Sequence, residues 1–315
     1  MTRVLLLGAR GFLGRHIHAA LSGHTTVCAP TRQQCDLVQV DLPALTALLE
    51  RERPDVVVSA AGCILGSGYD FVRAHVVSTA KLIEAMVAAT PHARFIRIGS
   101  AAEYGAVPYG AAVGEEHPAT PVGEYGLSHL AATRLTELAG AGGRLDTAVL
   151  RVFNPVGAGL PAGNLLRRVA TLIRDAMERG DDHVAVGLHD TYRDFVDVRD
   201  VAAAVVAVVR CEVLPERVFN VGTGRAVSTR ELVRSLAETA GFTGEIRTGS
   251  FTGDAARSSA VPWMCADITR SRRLLGWAPV RDLPESLRSL WQEYATEVEP
   301  DSLPRARAAR VGDLR

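Results

Sequence analysis

Lysine is almost missing from this chain of 315 residues: Lys81 is the single one, and arginine carries the remaining side-chain positive charge. Neither sign of charge prevails, since Lys plus Arg and Asp plus Glu number 35 each, which argues against a general nucleic-acid binder or a basic membrane-surface protein. Cys28, Cys35, Cys63, Cys211 and Cys265 are odd in number and scattered, so neither a disulfide framework nor a zinc site is indicated, and buried free thiols are expected. The histidines, His183 and His189 among them, lack ligand spacing, so no metal is expected. No apolar run is long enough to cross a bilayer, and Arg3 leads into a strand pattern instead of a signal peptide. A cytoplasmic protein without a membrane partner is the expectation.

What the chain does contain starts at its beginning. The apolar run Val4-Leu5-Leu6-Leu7 feeds into Gly8-Ala9-Arg10-Gly11-Phe12-Leu13-Gly14 and then a helical pattern from His16 to Leu21. A strand, a turn with three spaced glycines and a helix form a phosphate cradle. The first glycine permits the tight bend, the second admits a pyrophosphate to the backbone, and the third lets helix and strand pack closely. Strand-like runs at Thr25 to Ala29, Val56 to Ser59, Phe95 to Gly99 and Thr147 to Phe153 alternate with helical spacing at Leu42 to Arg51, Val72 to Ala89 and Ser128 to Leu138. Such alternation predicts an α/β fold, a doubly wound parallel sheet with helices on both faces. The length exceeds one ordinary core, so a second, smaller C-terminal lobe is expected. Its pattern includes a helix from Leu165 to Arg179 and a capping box at Ser228 and Glu231. Boundaries fall at 1–153 and 188–222 for the dinucleotide domain and at 154–187 and 223–298 for the substrate lobe. Residues 299–315, polar and basic without periodicity, are expected to be a disordered tail.

Further segments carry chemistry: Ile98-Gly99-Ser100-Ala101-Ala102-Glu103-Tyr104-Gly105, Tyr125-Gly126-Leu127-Ser128-His129, Arg151-Val152-Phe153-Asn154-Pro155-Val156-Gly157, Arg193-Asp194-Phe195-Val196-Asp197, and Phe219-Asn220-Val221-Gly222. With the glycine loop, and in this order, they resemble the extended short-chain dehydrogenase/reductase family that acts on nucleotide sugars, within it most closely the reductases of nucleotide-linked 4-keto-6-deoxyhexoses. The resemblance implies a Rossmann-like dinucleotide domain with a C-terminal substrate-binding lobe. It implies Tyr125 as acid/base, Ser100 as the hydroxyl orienting the sugar oxygen, and Asn154, Arg193 and Arg257 as nucleotide-sugar ligands. The cofactor would lie on Gly8, Arg10, Gly11, Phe12, Leu13 and Gly14, on Thr31, Arg32, Asp36 and Leu37, on Ala60, Ala61 and Gly62, and on Tyr125 and His129.

His129 departs from the family pattern Tyr-x-x-x-Lys. It stands one helical turn after Tyr125. A neutral imidazole can hydrogen-bond a ribose hydroxyl but supplies no permanent charge. An ordinary tyrosine, titrating near ~10, is a phenolate in only about one molecule in a thousand at neutral pH. Oxidising an alcohol needs that phenolate, whereas reducing a ketone starts from the phenol, so the replacement favours reduction over 4-epimerisation. Ala101 and Ala102 stand where the 4,6-dehydratases carry an Asp-Glu pair, which argues against elimination. Glu103 and Glu124 are read as solvated charges, with Glu124 a candidate to tune His129. Asp194 and Asp200 are read as structural. At the end of the second strand Thr31-Arg32 replaces the acid usual for NAD, favouring NADPH, with NAD possible.

The function expected is NADPH-dependent reduction of the C4 ketone of a nucleotide-activated 4-keto-6-deoxyhexose, in deoxysugar biosynthesis. The alternatives are a 4-epimerase with tightly bound NAD and a non-catalytic NADP-binding family member. A homodimer is expected through the helices at Val72 to Ala89 and Ser128 to Leu138, which form a four-helix interface in the family.

Overall fold

The computed structural model describes residues 1–188, 190–249 and 260–296. The first half alternates strand and helix: β1 (Arg3–Leu7), α1 (Phe12–Ser22), β2 (Thr26–Cys28), α2 (Leu42–Glu52), β3 (Val56–Ser59), the short α3 (Gly68–Phe71), α4 (Ser78–Ala89), β4 (Arg94–Ser100), α5 (Glu124–Ala141) and β5 (Asp146–Val152). Between α3 and α4 the chain takes six residues of π-helix, Val72–Val77. There follow β6 (Asn154–Val156), α6 (Leu165–Arg179), β7 (His183–Val186), β8 (Tyr192–Asp197), α7 (Val198–Arg210), β9 (Val218–Val221), β10 (Ala226–Ser228), α8 (Thr229–Ala240), β11 (Glu245–Thr248), β12 (Trp263–Met264), α9 (Thr269–Leu275) and α10 (Leu283–Thr296).

The main sheet has the order β2-β1-β3-β4-β5-β9, with every pair parallel. Both of its faces are covered, which is why β1 and β3 are continuously apolar instead of alternating. One face packs Leu6, Val58, Ile96 and Leu150 against Ile17 of α1 and Val201 and Val205 of α7; the other packs Leu5, Val57 and Phe95 against Leu45 and Leu49 of α2 and Leu82 and Met86 of α4. Helix starts are fixed locally. Asp41 accepts a hydrogen bond from the Ala44 N–H ahead of α2, and Ser228 and Glu231 close the expected capping box at α8.

A second core joins α6, α8 and α10 through Val169, Ile173, Leu232, Leu236, Leu287 and Leu290. Its strands form a sheet in which β8 is paired with β6, β10 and β12, together with a separate β7–β11 pair. The boundaries drawn from sequence differ here. β8, placed with the dinucleotide domain by its position in the chain, pairs wholly within the second sheet. Met264, Ala266, Ile268 and Trp277, placed in the substrate lobe, pack into the core of the first. The chain therefore crosses between the two units several times, and contiguous ranges do not capture that. Residues 299–315 lie outside the described residues. No helix among the described residues is long and apolar enough to cross a membrane.

Candidate active site

In a parallel sheet all carboxyl ends share one edge, where ligands of such folds bind. The register Leu7 to Ser59 and Ser59 to Arg97 sets the ends of β1 and β3 side by side, while β4 runs three residues further to Ser100. The glycine loop leaves β1 there. Gly8 has φ +86°, and a Cβ on it would lie 2.6 Å from the Ala61 nitrogen. A Cβ on Gly14 would lie 2.0 Å from the Gly8 carbonyl oxygen, so α1 approaches the loop only because Gly14 has no side chain. Gly11 is the N-cap of α1 and no acid stands in its first turn, so its leading N–H groups suit an anion. Arg10 is exposed, while Phe12 and Leu13 are half-buried. The loop thus fits a pyrophosphate.

After β2 the chain turns over Thr31 and Arg32. The Arg32 side chain is 83% exposed and its Nε lies 2.9 Å from Asp36 Oδ2. Asp36 also accepts from the Val38 N–H, which fixes the turn, and Leu37 is buried beside it. No acid points from the end of β2 itself. Beyond β3, Ala60 and Ala61 are half-buried, and Ala61 lines a small cavity with Ser59, His75, Thr79, Arg97 and His129. Gly62 borders the same group, since a Cβ on it would lie 3.2 Å from His75 Nε2.

Ser100 ends β4 and Tyr125 lies in the first turn of α5, with the Ser100 hydroxyl beside the phenol. Ser100 Oγ also accepts from the Ala102 N–H at 3.2 Å. Burial pushes the Tyr125 phenol above its usual value, against the opposing pull of Ser100 and the Arg97 guanidinium. Its ring meets Phe71 edge-on at 5.5 Å, and His129 at 4.6 Å between centroids.

His129 is buried, with its Nδ1 at 3.1 Å from Arg97 Nη2 and its ring 4.1 Å from that of His75. Burial first, then the charge of Arg97 and the neighbouring His75, hold its pKa far below the histidine range, so it is neutral at physiological pH. His75 is likewise pushed down to about 4, by burial and by Arg97. Its Nε2 accepts from the Cys63 N–H and its Nδ1 meets Ser128 Oγ at 2.9 Å. Ser128 in turn donates to the Tyr125 carbonyl at 2.8 Å, tying His75 to the first turn of α5.

Two of the acidic assignments need correction. Glu103, read as solvated, is fully buried: Oε1 accepts from the Ser100 N–H and the Thr133 hydroxyl, both at 3.0 Å, and Oε2 from Arg151 Nε at 2.9 Å. A short 3-10 turn after β4 folds it back under the strand end. Glu124 is exposed, as expected, but it sits against Gly68 and has no part in holding His129, whose perturbing neighbours are Arg97 and His75.

The remaining residues expected at the site are carried by the second sheet. Asn154 Nδ2 donates to the Asp194 carbonyl at 3.0 Å, and Arg193, next in β8, is half-buried, with burial pulling its guanidinium down to about 10. No hydrogen bond among the described residues links either to Ser100 or Tyr125. Arg257 lies outside the described residues. Asp194 gathers Thr223, Gly224 and Ala266, and Asp200 accepts from the Val280 and Arg281 backbone, both structural tasks. No group of metal-ligating side chains occurs among the described residues. Sequence reasoning missed Arg97, His75 and Thr133. For Arg97 a signal existed: a cation in the middle of Arg-Phe-Ile-Arg-Ile-Gly-Ser, a strand inside a covered sheet.

Residues 4–222 match the NAD dependent epimerase/dehydratase family. The chain belongs to that family. Family relatives include the dTDP-6-deoxy-L-talose 4-dehydrogenase (NAD(P)(+)) of Kitasatospora kifunensis, 38% identical over 308 residues, covering 93% of this chain and 96% of that protein. The UDP-glucose 4-epimerase of Azospirillum brasilense is 30% identical over 314 residues, covering 89% and 88%. Among solved structures of the family's fold, RMD from Pseudomonas aeruginosa complexed with NADPH superposes with a TM-score of 0.83 at 27% identity, covering 95% of this chain and all of that one.

Proposed function

We propose that this protein is an NADPH-dependent 4-ketoreductase of a nucleotide-activated 4-keto-6-deoxyhexose, cytoplasmic and dimeric, serving deoxysugar synthesis. The observation that carries the reading is the Ser100–Tyr125 hydroxyl pair at the carboxyl end of β4, with a neutral His129 one turn below. A 4-dehydrogenase and a 4-ketoreductase catalyse one reaction in two directions, so the 38% identical relative supports the same chemistry.

The reduced nicotinamide, when bound, supplies a hydride. The chain's part is proton delivery and placement. Ser100 Oγ orients the ketone oxygen, and the Tyr125 O–H bond breaks as the new O–H bond at that oxygen forms. Burial keeps Tyr125 protonated well above neutral pH, which suits a donor and handicaps an epimerase that must first withdraw a proton. The glycine loop and the start of α1 would hold the pyrophosphate, with His129 toward the nicotinamide ribose and Ala60, Ala61 and Gly62 flanking the cofactor. Arg32 favours NADPH: its pairing with Asp36 is a surface one, easily exchanged for a 2′-phosphate. Asn154, Arg193 and Arg257 would take the nucleotide diphosphate sugar. Dimerisation is supported by exposed apolar side chains along the expected helices, Val72 and Val77 on one segment and Leu127 and Leu138 on α5.

The test is consumption of NADPH with a panel of nucleotide-linked 4-keto-6-deoxyhexoses, dTDP-linked first, comparing native protein with Tyr125→Phe. Turnover abolished by the substitution supports the reductase. Protein that arrives with tightly bound NAD and interconverts 4-hydroxyl epimers without net reductant sinks it in favour of the epimerase, and inert NADPH binding sinks it in favour of a non-catalytic member.

A further inference from the structure

Arg97 lies in the middle of β4, 3% exposed. Its guanidinium reaches three neutral groups: Nε meets Thr79 Oγ1 at 3.3 Å, Nη1 meets Thr133 Oγ1 at 3.2 Å, and Nη2 meets His129 Nδ1 at 3.1 Å. No carboxylate among the described residues forms an ion pair with it. Glu103 is one hydroxyl away, through Thr133, and is itself paired with Arg151. A buried cation with no carboxylate in direct contact is destabilising, and arginine does not escape by losing its proton. What lies beyond the His129 ring is Tyr125, the group that becomes an anion when it gives up its proton.

The proton positions follow from chemistry. Arginine only donates, so His129 Nδ1 must accept, and the proton of the neutral imidazole resides on Nε2. His75 is fixed the other way round: its Nε2 accepts from the Cys63 N–H, leaving Nδ1–H for Ser128. The groups facing His129 are therefore Arg97 from β4, His75 from the π-helical segment and Tyr125 from its own helix, with no acid among them.

We propose that Arg97 is a positioning residue that acts with His129 as one unit beneath Tyr125. Arg97 locks His129 as the Nε2–H donor and supplies, across the imidazole, the permanent positive charge that stabilises the phenolate formed at Tyr125. This rests on the reductase reading for its use in turnover. The division of labour explains how a histidine serves where a lysine is the family pattern: the hydrogen bond comes from one residue and the charge from another, on a different strand.

The experiment combines long-range proton–nitrogen NMR of 15N-histidine protein, ultraviolet titration of Tyr125 against a Tyr125→Phe blank, and steady-state kinetics, for native protein, Arg97→Met and Arg97→Lys. In native protein His129 is expected as the Nε2–H tautomer, neutral throughout the physiological range. Arg97→Met should give mixed tautomers, raise the Tyr125 midpoint by about one pH unit, and lower kcat about tenfold, the effect of one unit charge an imidazole away at an effective dielectric of about 20. KM for the sugar should change less than about twofold, since Arg97 is buried behind His129. Arg97→Lys, which keeps the charge, should restore the Tyr125 midpoint. An Nδ1–H tautomer in native protein, or a Tyr125 midpoint indifferent to Arg97→Met, overturns the proposal whatever the activity. If Arg97→Met does not fold, the native tautomer and the Arg97→Lys titration still decide. Expected spectra in a protein inert toward keto sugars count against the reductase reading alone.

Discussion

Replacing Glu103 by glutamine changes one atom and should unsettle the whole carboxyl end of β4. The carboxylate is fully buried, and the Arg151 side chain opposite it is only 2% exposed. Glutamine can keep one carbonyl oxygen for the Ser100 N–H and the Thr133 hydroxyl, but its amide then presents N–H groups to Arg151 Nε, donor against donor. The Tyr104 ring, 4.7 Å from the Arg151 guanidinium, offsets only part of the loss. Leaving a buried charge without its partner costs about 3–5 kcal/mol. At roughly 2 °C per kcal/mol for a chain of this size, Tm should fall by about 6–10 °C. Denaturant unfolding followed by circular dichroism reads the change directly. Because Glu103 also holds the Ser100 N–H, kcat should drop even where the variant is fully folded. The double variant Glu103→Leu with Arg151→Met removes both charges and should be destabilised by less than the sum of the singles. A loss below about 1 kcal/mol for Glu103→Gln would refute the reasoning, since it would mean that Arg151 finds water or another acceptor.

Acid should weaken the fold through His75: the unfolded chain takes up a proton near 6.5, whereas the folded chain refuses it until about 4. The unfolded state thus binds more protons in that window, and stability falls as pH drops through it, by up to about 3 kcal/mol from this residue; unfolding free energies across the range, with His75→Asn giving a flatter profile, check it. Gly14→Ala should abolish NADPH binding by fluorescence titration, because its methyl would stand 2.0 Å from the Gly8 carbonyl and force α1 off the loop. Arg32→Ala should raise the Kd for NADPH about tenfold while leaving NADH unchanged, the loss expected of one charge-assisted contact; equal effects on both cofactors would remove Arg32 from the 2′-phosphate. Tyr104→Phe should cost about 1–2 kcal/mol, since its hydroxyl donates to Asn220 Oδ1 at 2.7 Å in a dry site that pushes its own pKa up to about 12.

The main sheet was legible because it is covered on both faces, so that β1 and β3 read as apolar runs, and α6 was bounded to the residue by its spacing. The glycine loop announced itself by its spaced glycines together with the apolar strand before it and the helical pattern after it. The start of α5 was harder: its first turn carries Tyr125 and Gly126, poor helix formers, held by packing instead of propensity. The membership of β8 escaped because sheet pairing depends on distant partners, Asn154, Val227 and Trp263, that local pattern does not encode. The site divided in the same way. Ser100, Tyr125 and His129 were visible as a pattern, whereas Glu103 looked like any charge in a turn. Only the fold shows that the 3-10 turn buries it, and that Arg97 and His75 reach His129 from two other elements.

The π-helical stretch at Val72–Val77 closes its turns over five residues, as where the Ser78 N–H meets the Arg73 carbonyl. Each such turn holds one residue more than the α-helix that follows, so the face presented by His75 and the face presented by α4 are out of phase by about 100° relative to an uninterrupted helix. The two faces have different clients: His75 serves Tyr125 and His129, while Leu82 and Met86 serve the sheet. A phase offset of this kind arises by gaining a residue and vanishes by losing one; exchanging side chains does not remove it. Deleting a single residue there would turn the imidazole away from the tyrosine without touching any atom of either.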